Sequence, residues 1–528
     1  MKTLLLLVAL IGPLGFQQAV LTLTGASCVE ELSEDEMQRY QSLAAHPVDL
    51  NHAGRGRLLA TGLLTPFQVA SLLDYRLQTG AILSWNELAL VDGFPAPFVA
   101  ALQEFAVLGV QDAVPGRRED RRFGLELQLR GAVRADGQAA GGLKAEANLG
   151  ERAQAFVSIR NTLSEQSLGA PTLSAAYYGK RALGQLIVGH FNARFGQGLL
   201  QWSGFQLSGF GTLGAFRKNG TGFSPTGSHG ATLLGVATDW HFGTWEVSAA
   251  YSLAGNQPIV NVTKTWRTAT AGLTATREGA SLEARFARPD WSFFAETAVR
   301  YDGKVSALAG AFYLPAYGHR IGVMGRWYGR QDKRYSGAAA GYEGPAFGVT
   351  ADAGWRTDTG ESQFKALLRW HPEYTWRRIR FLPEMRLQGR LRSKDELPLR
   401  VETRAVLGAE WGPWLLAGRF DAVWCRGFAW NWYAEGGWKR EKVALYVRGG
   451  LFRVDAWDDR IYVYERDAPG AFTVPARYGR GWNGSLYGAW QLSRHHSLWL
   501  RLETVQYPWN KKEKEGRTEV RLSYRYRL

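Results

Sequence analysis

The stretch Arg377-Arg-Ile-Arg-Phe-Leu-Pro-Glu-Met-Arg-Leu-Gln-Gly-Arg-Leu-Arg392 decides the fold. In an extended chain Ile379, Phe381, Met385, Leu387 and Leu391 share one face, and Arg378, Arg380, Glu384, Arg386, Gln388, Arg390 and Arg392 share the other. Successive side chains of a strand point to opposite sides, so a two-residue period marks a strand with one apolar face. The pattern spreads outward from this point. Leu399, Val401, Ala405 and Leu407 alternate with Arg400, Glu402 and Arg404; upstream, Phe123, Leu125, Leu127 and Leu129 alternate with Glu126, Gln128 and Arg130. The chain ends the same way, with Val520, Leu522, Tyr524, Tyr526 and Leu528 set against Arg521, Ser523, Arg525 and Arg527.

Two packed soluble sheets would also alternate. Three features favour a membrane barrel instead: a secretory leader, strands of ten residues or more, and aromatic residues crowding strand ends, as at Trp424, Trp430, Trp432 and Trp438. The composition agrees, with 62 Gly, 21 Trp, 25 Phe and 21 Tyr but only 4 Met in 528 residues, and 45% hydrophobic residues exclude disorder. The expected fold is mainly β: a large antiparallel transmembrane β-barrel over 122–528, preceded by a small all-α region. At roughly 20 to 25 residues per strand and its connection, about 16 to 20 strands are expected. Such a lumen is too wide for its own wall to fill. The Gly-rich stretch Gly196–Gly230 therefore either folds inward as a constriction or forms a surface loop.

Lys2 followed by the 13-residue apolar run Leu4–Phe16 and the small residues Gly25, Ala26 and Ser27 predicts a signal peptide over 1–27. Cys28 after Gly-Ala-Ser leaves a lipidated start open. Residues 28–112 are expected to form a periplasmic helical region, because Leu58, Leu59, Val69, Leu72, Leu73, Leu88, Leu90, Val99, Leu102 and Phe105 recur at helical spacing. A charged, turn-rich linker follows at 113–121. The charge changes sign there: residues 29–112 carry −7 and residues 113–528 carry +21.

Within 46–108, Asp49-Leu-Asn51, Leu58-Leu-Ala-Thr-Gly62-Leu-Leu-Thr-Pro66, Leu73-Asp-Tyr-Arg76, Ser84-Trp-Asn-Glu-Leu88 and Val91-Asp-Gly93-Phe-Pro95 resemble a tandem helix-hairpin-helix domain of periplasmic DNA-uptake proteins. The turns would be Gly62-Leu63-Leu64 and Gly93-Phe94-Pro95. DNA-binding members aim the N–H groups of a second turn glycine at phosphate; here Leu64 and Pro95 replace it, and proline has no donor. The negative charge of the segment also disfavours DNA. With Val188-Gly-His-Phe-Asn-Ala-Arg-Phe195 running on to Trp202, Trp291-Ser-Phe-Phe-Ala-Glu296, and Asp459-Arg-Ile-Tyr-Val-Tyr464 running on to Asp467, the whole chain resembles helix-hairpin-helix outer-membrane β-barrel proteins of the Bacteroidetes type. That resemblance implies location and architecture and supplies no catalytic residues.

The search for chemistry yields no catalytic, cofactor or metal residues. Cys28 and Cys425 belong to no metal-ligand spacing, and no GxSxG or HExxH motif occurs. His495-His496 reads as a rim loop. Arg378, Arg380, Arg386, Arg390, Arg392, Arg521, Arg525 and Arg527 should face the lumen, since charge on the lipid face costs about 2–4 kcal/mol at midplane. They either attract anionic solutes or pair with Glu126, Glu384, Glu402 and Glu519 in a wall network, with the surplus at the rim meeting anionic headgroups. The sequence thus points to a noncatalytic outer-membrane barrel, its partners membrane lipid and a periplasmic or outer-membrane protein. Its helical module would dock that protein or gate the pore. The alternative is a DNA-uptake component.

Overall fold

The lipid-facing alternates expected from the sequence point outward around a closed wall. The computed structural model describes residues 15–109 and 123–528, except 164–166, 180, 181, 205–209, 231, 289, 317, 331, 332 and 511–513. The leader residues 1–14 and the linker 113–121 lie outside the described residues. From Phe123–Arg134 to Arg517–Arg527 the strands pair antiparallel with their sequence neighbours. The last strand closes on the first, with Leu127 opposite Tyr526, Leu129 opposite Tyr524 and Val133 opposite Val520. The fold is a closed barrel of 24 strands.

The count exceeds the expected 16 to 20 because most connections are tighter than assumed. At the end where the chain enters and leaves the barrel, here the terminal end, turns are two to four residues long except at 371–378. At the opposite, loop end, four connections are long: 161–171, 195–232, 455–478 and 507–516.

Met385, Leu387 and Leu391 are exposed on the outer wall, as are Leu129, Val323, Leu407 and Val447. Exposed aromatics ring both ends of this apolar band: Phe242, Trp245, Trp291, Trp411 and Trp414 flank the terminal-end turns, and Trp327, Trp355, Trp424 and Phe428 lie near the loop end. An apolar band between aromatic girdles matches a bilayer and its two interfaces. Among the described residues no helix is long and apolar enough to cross a membrane.

The helical part has its own core. Helix α1 spans Phe16–Thr24, α2 Glu34–Ala45, α3 Arg55–Ala60, α4 Pro66–Thr79, α5 Trp85–Leu88 and α6 Ala96–Leu102. Ser33 caps α2 by accepting from the Glu36 N–H at 3.1 Å, and Glu34, Asp35 and Glu36 fill a first turn where the helix dipole favours acids. Thr65 and Gln68 form a capping box on α4, with Pro66 in its first turn. Gly62 and Gly93 turn the chain at φ 67° and 90°, a region that suits glycine. Met37, Tyr40, Leu58, Leu72, Phe94 and Phe105 are buried together, and Val48–Asp49 bridges Ala106–Val107 in parallel to close the unit.

This unit sits inside the barrel. Gly56 of α3 lies so close to the wall that a Cβ there would fall 2.1 Å from the Gly184 carbonyl oxygen. Arg57 reaches Glu151 in the terminal-end turn 150–152, and Arg55 reaches Glu246 beside turn 243–244. The start of α2 meets Arg160 and Arg194, the last residues of their strands at the loop end. Helix α2 thus runs through the middle of the lumen, and α3 to α6 fill its terminal mouth. The helical region expected over 28–112 thus lies against the inner wall, its acids facing wall arginines.

Leu387→Arg, on the outer face at the middle of its strand, is expected to cost about 2–4 kcal/mol in equilibrium folding into lipid vesicles. Gln388→Arg, one residue on and facing the lumen, should cost far less.

Candidate functional site

Arginines of the wall and carboxylates of the helical unit meet in the lumen. The Glu30 carboxylate pairs with Arg404 at 3.0 Å and with Arg419, and both arginines also hold Asp421, at 2.9 and 2.7 Å. Glu31 pairs with Arg386 at 3.1 Å, and the same guanidinium donates to the Cys28 sulfur at 2.9 Å. Glu36 is held by Arg39 at 2.9 Å and Arg194 at 3.1 Å. Glu34 pairs with Arg160, and Asp35 accepts from the Ser228 hydroxyl. On the opposite side the signs reverse: Arg55 meets Glu246 at 2.7 Å, and Arg57 meets Glu151 at 3.0 Å and Gln154 at 2.9 Å.

Burial alone would raise the Glu30 carboxyl, but Arg404 and Arg419 outweigh it and hold it well below the usual carboxylate range. Burial likewise opposes ionisation at Glu31 and Glu36, and Arg386 in the first case and Arg39 with Arg194 in the second bring both below the ordinary value. All three acids are therefore charged at neutral pH.

Two loop-end connections fold inward and grip the helical unit. In 195–232, Glu296 accepts from the Gln197 and Leu199 N–H groups at 2.5 and 3.3 Å, and Thr212 donates to the Gly25 carbonyl. Leu213 and Phe216 are buried against Phe312, Met324 and Ala339. The inward alternative for Gly196–Gly230 is the one realised. The connection 455–478 also turns inward, which the sequence reading missed. Glu465 and Asp467 lie among Arg477, Arg501 and Arg521, and the Gly470 carbonyl at its tip accepts from Gln38 of α2 at 2.8 Å.

The arginine row divides by position. Arg386 is buried on Glu31; Arg525 and Arg527 lie 3.6 and 2.9 Å from Glu126; Arg521 pairs with Asp467 at 2.6 Å and with Glu519 at 2.5 Å. Arg390 and Arg392 are part-buried on the same face, Arg392 at 3.8 Å from Asp395. Arg378 and Arg380 are exposed at the terminal rim, Arg380 with Glu410 at 2.7 Å. Of the wall acids expected to pair, Glu126 and Glu519 hold arginines of the row and Glu402 holds Arg400 at 2.6 Å, while among the described residues no ion pair involves Glu384. Missed were Arg160, Arg194, Arg404 and Arg419 as receivers of Glu30, Glu34 and Glu36. The opposite charges of the two regions, −7 and +21, were the available signal.

In the turns Gly62-Leu63-Leu64 and Gly93-Phe94-Pro95 three backbone donors are taken internally. The Gly62 N–H goes to Leu59, the Leu63 N–H to the Thr61 hydroxyl, and the Phe94 N–H to Val91. Leu63, Leu64 and Phe94 are buried, while Pro95 is exposed at the start of α6. His495 lies in an exposed turn, its Nδ1 2.7 Å from the Arg527 carbonyl, and His496 meets the Tyr524 hydroxyl at 2.6 Å. Among the described residues no group of three His, Cys, Asp or Glu could hold a metal ion.

No family model matches the sequence, and no curated protein matches it either. Solved structures to which the chain is similar include three proteins of Pseudomonas aeruginosa. They are OccK5 (8% identity, TM-score 0.33, 77% of this chain and 97% of that one), OprD (7%, 0.33, 77% and 94%) and OccK10 (10%, 0.33, 78% and 99%). The barrel assignment rests on the strand register described above.

Removing one partner of a buried ion pair typically costs about 3–5 kcal/mol, because the other charge is left unanswered. Glu30→Gln should therefore loosen α2, seen as faster amide exchange there than in the strands. The carboxyls of Glu30, Glu31 and Glu36 are depressed, so their contribution is fully present above the unfolded value of about 4.3 and is lost as pH falls through the lowered folded values. Exchange in α2, corrected for intrinsic rates, should stay flat from pH 7 to about pH 4 and rise below it.

Proposed function

We propose that the protein is a noncatalytic outer-membrane β-barrel whose N-terminal helical unit gates the lumen, and that its open state conducts anionic solutes. The observation that carries this reading is the Glu30 carboxylate seated between Arg404 and Arg419. With the helical unit in place its acids neutralise wall arginines. With it withdrawn, Arg160, Arg194, Arg386, Arg404 and Arg419 would face water without those partners, and a basic confined space attracts anions.

Three features support the location and direction. A leader at 1–27 would export the chain. Among the described residues every ion pair between the helical unit and the wall involves Glu30 or a later residue, so removing 1–27 would leave these side-chain pairs in the chain. Outer-membrane barrels carry short turns on the periplasmic side and longer loops outside, and the short turns of the terminal end support a periplasmic position for it and for α3 to α6. Leu77, Leu83 and Leu90 are strongly exposed on that part of the helical unit, where a periplasmic protein could dock and pull.

Planar-bilayer recording tests the reading. The native chain should be electrically quiet, and a variant lacking residues 29–109 should open in large steps with an anion-selective reversal potential. A quiet deletion variant, or cation selectivity in its open state, would sink the proposal.

A further inference from the structure

Arg217 is a luminal arginine for which the described residues supply no carboxylate. Arg217 follows the 3-10 turn Leu213–Phe216, whose packing against Phe312, Met324 and Ala339 fixes the position. Its guanidinium lies 5.7 Å from the centre of the Phe312 ring, and that of Arg320 lies 5.1 Å from the same centre. Arg285 donates to the carbonyls of Gly196 at 3.2 Å and of Lys218, the next residue to Arg217, at 3.3 Å.

The neighbouring acids serve the other two arginines of the cluster or the backbone. Glu343 is shared between Arg320 at 2.7 Å and Arg369 at 2.8 Å. Glu283 stands 3.6 Å from Arg285, and Glu296 takes the Gln197 and Leu199 N–H groups. Among the described residues no carboxylate pairs with Arg217. Burial, with the like charges of Arg285 and Arg320 beside it, pushes the Arg217 guanidinium down to about 9. The Arg320 and Glu343 side chains are 35% and 30% exposed, so the cluster is open to luminal water.

We propose that Arg217, Arg285 and Arg320 form a luminal binding site for a small oxyanion of the phosphate, sulfate or carboxylate class. Guanidinium forks match the paired oxygens of such anions, and a charge-assisted bond from each is stronger than a neutral one. The anion supplies the negative charge that the wall and the inward segment withhold from Arg217. The site goes beyond the gating reading, because it is assembled with the helical unit in place and needs no opening.

Isothermal titration of the full chain in detergent with inorganic sulfate, at low chloride, tests it. One saturable site per chain is expected. Arg217→Gln and Arg320→Gln should each weaken binding at least tenfold, while Arg494→Gln in the exposed turn 492–495 should leave it unchanged. Absence of a saturable site in the native chain, or undiminished affinity in Arg217→Gln, overturns the proposal. A second measurement guards against misfolding. In sulfate-free buffer Arg217→Met should unfold at the native temperature or above, since it removes an unanswered charge, and sulfate should raise the native unfolding temperature alone. A lower unfolding temperature for Arg217→Met would reveal a structural partner for Arg217 and overturn the proposal equally.

Discussion

Two guanidiniums buried side by side need two negative charges, and the barrel wall supplies one. Arg404 and Arg419 come from neighbouring strands, and both reach Asp421, which stands directly opposite Arg404 in the register. Removing charge from water is expensive unless it is matched, so the second carboxylate is not optional. It comes from Glu30, nearly four hundred residues earlier in the chain. The wall is electrostatically incomplete without its insert. The same logic repeats at Arg386 with Glu31 and at Arg194 with Glu36, and in mirror image at Glu246 with Arg55.

Volume imposes the second constraint. A wall of 24 strands encloses more space than its own side chains occupy. Three pieces share that space here: the helical unit, the segment 195–232 and the segment 455–478. They meet one another as well as the wall, since Gln38 of α2 reaches the tip at Gly470 and Asp35 accepts from Ser228. Displacing α2 therefore disturbs both inward segments. A change at the loop end and a change at the terminal mouth are linked through one helix of 12 residues, about 18 Å of rise.

How much of this was legible follows from the range of each interaction. Alternation at Met385, Leu387 and Leu391 is imposed locally by lipid on every second residue, so the barrel can be read from one strand. The helices of the insert were legible for the same reason, through the spacing of Leu58, Leu72 and Phe105 and the turn glycines Gly62 and Gly93. Strand number was not, because it depends on turn lengths of two to four residues that leave little trace in composition. The seat was least legible. Its pairs join residues hundreds apart, and nothing near Glu30 names Arg419 as its receiver. The sign change between the two regions was visible, but complementarity between parts of one chain is a statement about docking, which single-strand periodicity cannot carry. Segment 455–478 escaped notice because its acids Glu465 and Asp467 resemble ordinary loop charges until Arg477, Arg501 and Arg521 surround them.

The choice of ion pairs over apolar packing at the seat bears on the proposed gating. An apolar joint of comparable area would hold more firmly and would expose grease to luminal water on parting. A buried ion pair contributes little net stability against a well-packed apolar alternative, yet tolerates only the matching partner, so it confers register more than strength. When such a joint parts, both sides are left with groups that water solvates well. The insert meanwhile keeps Met37, Leu58, Phe94 and Phe105 inside a core of its own, independent of the wall. Cohesion within the insert is thus mainly hydrophobic, and adhesion of its acids to the arginine wall is mainly electrostatic. Those two forces respond to different conditions, which is what a unit that must move without unfolding requires.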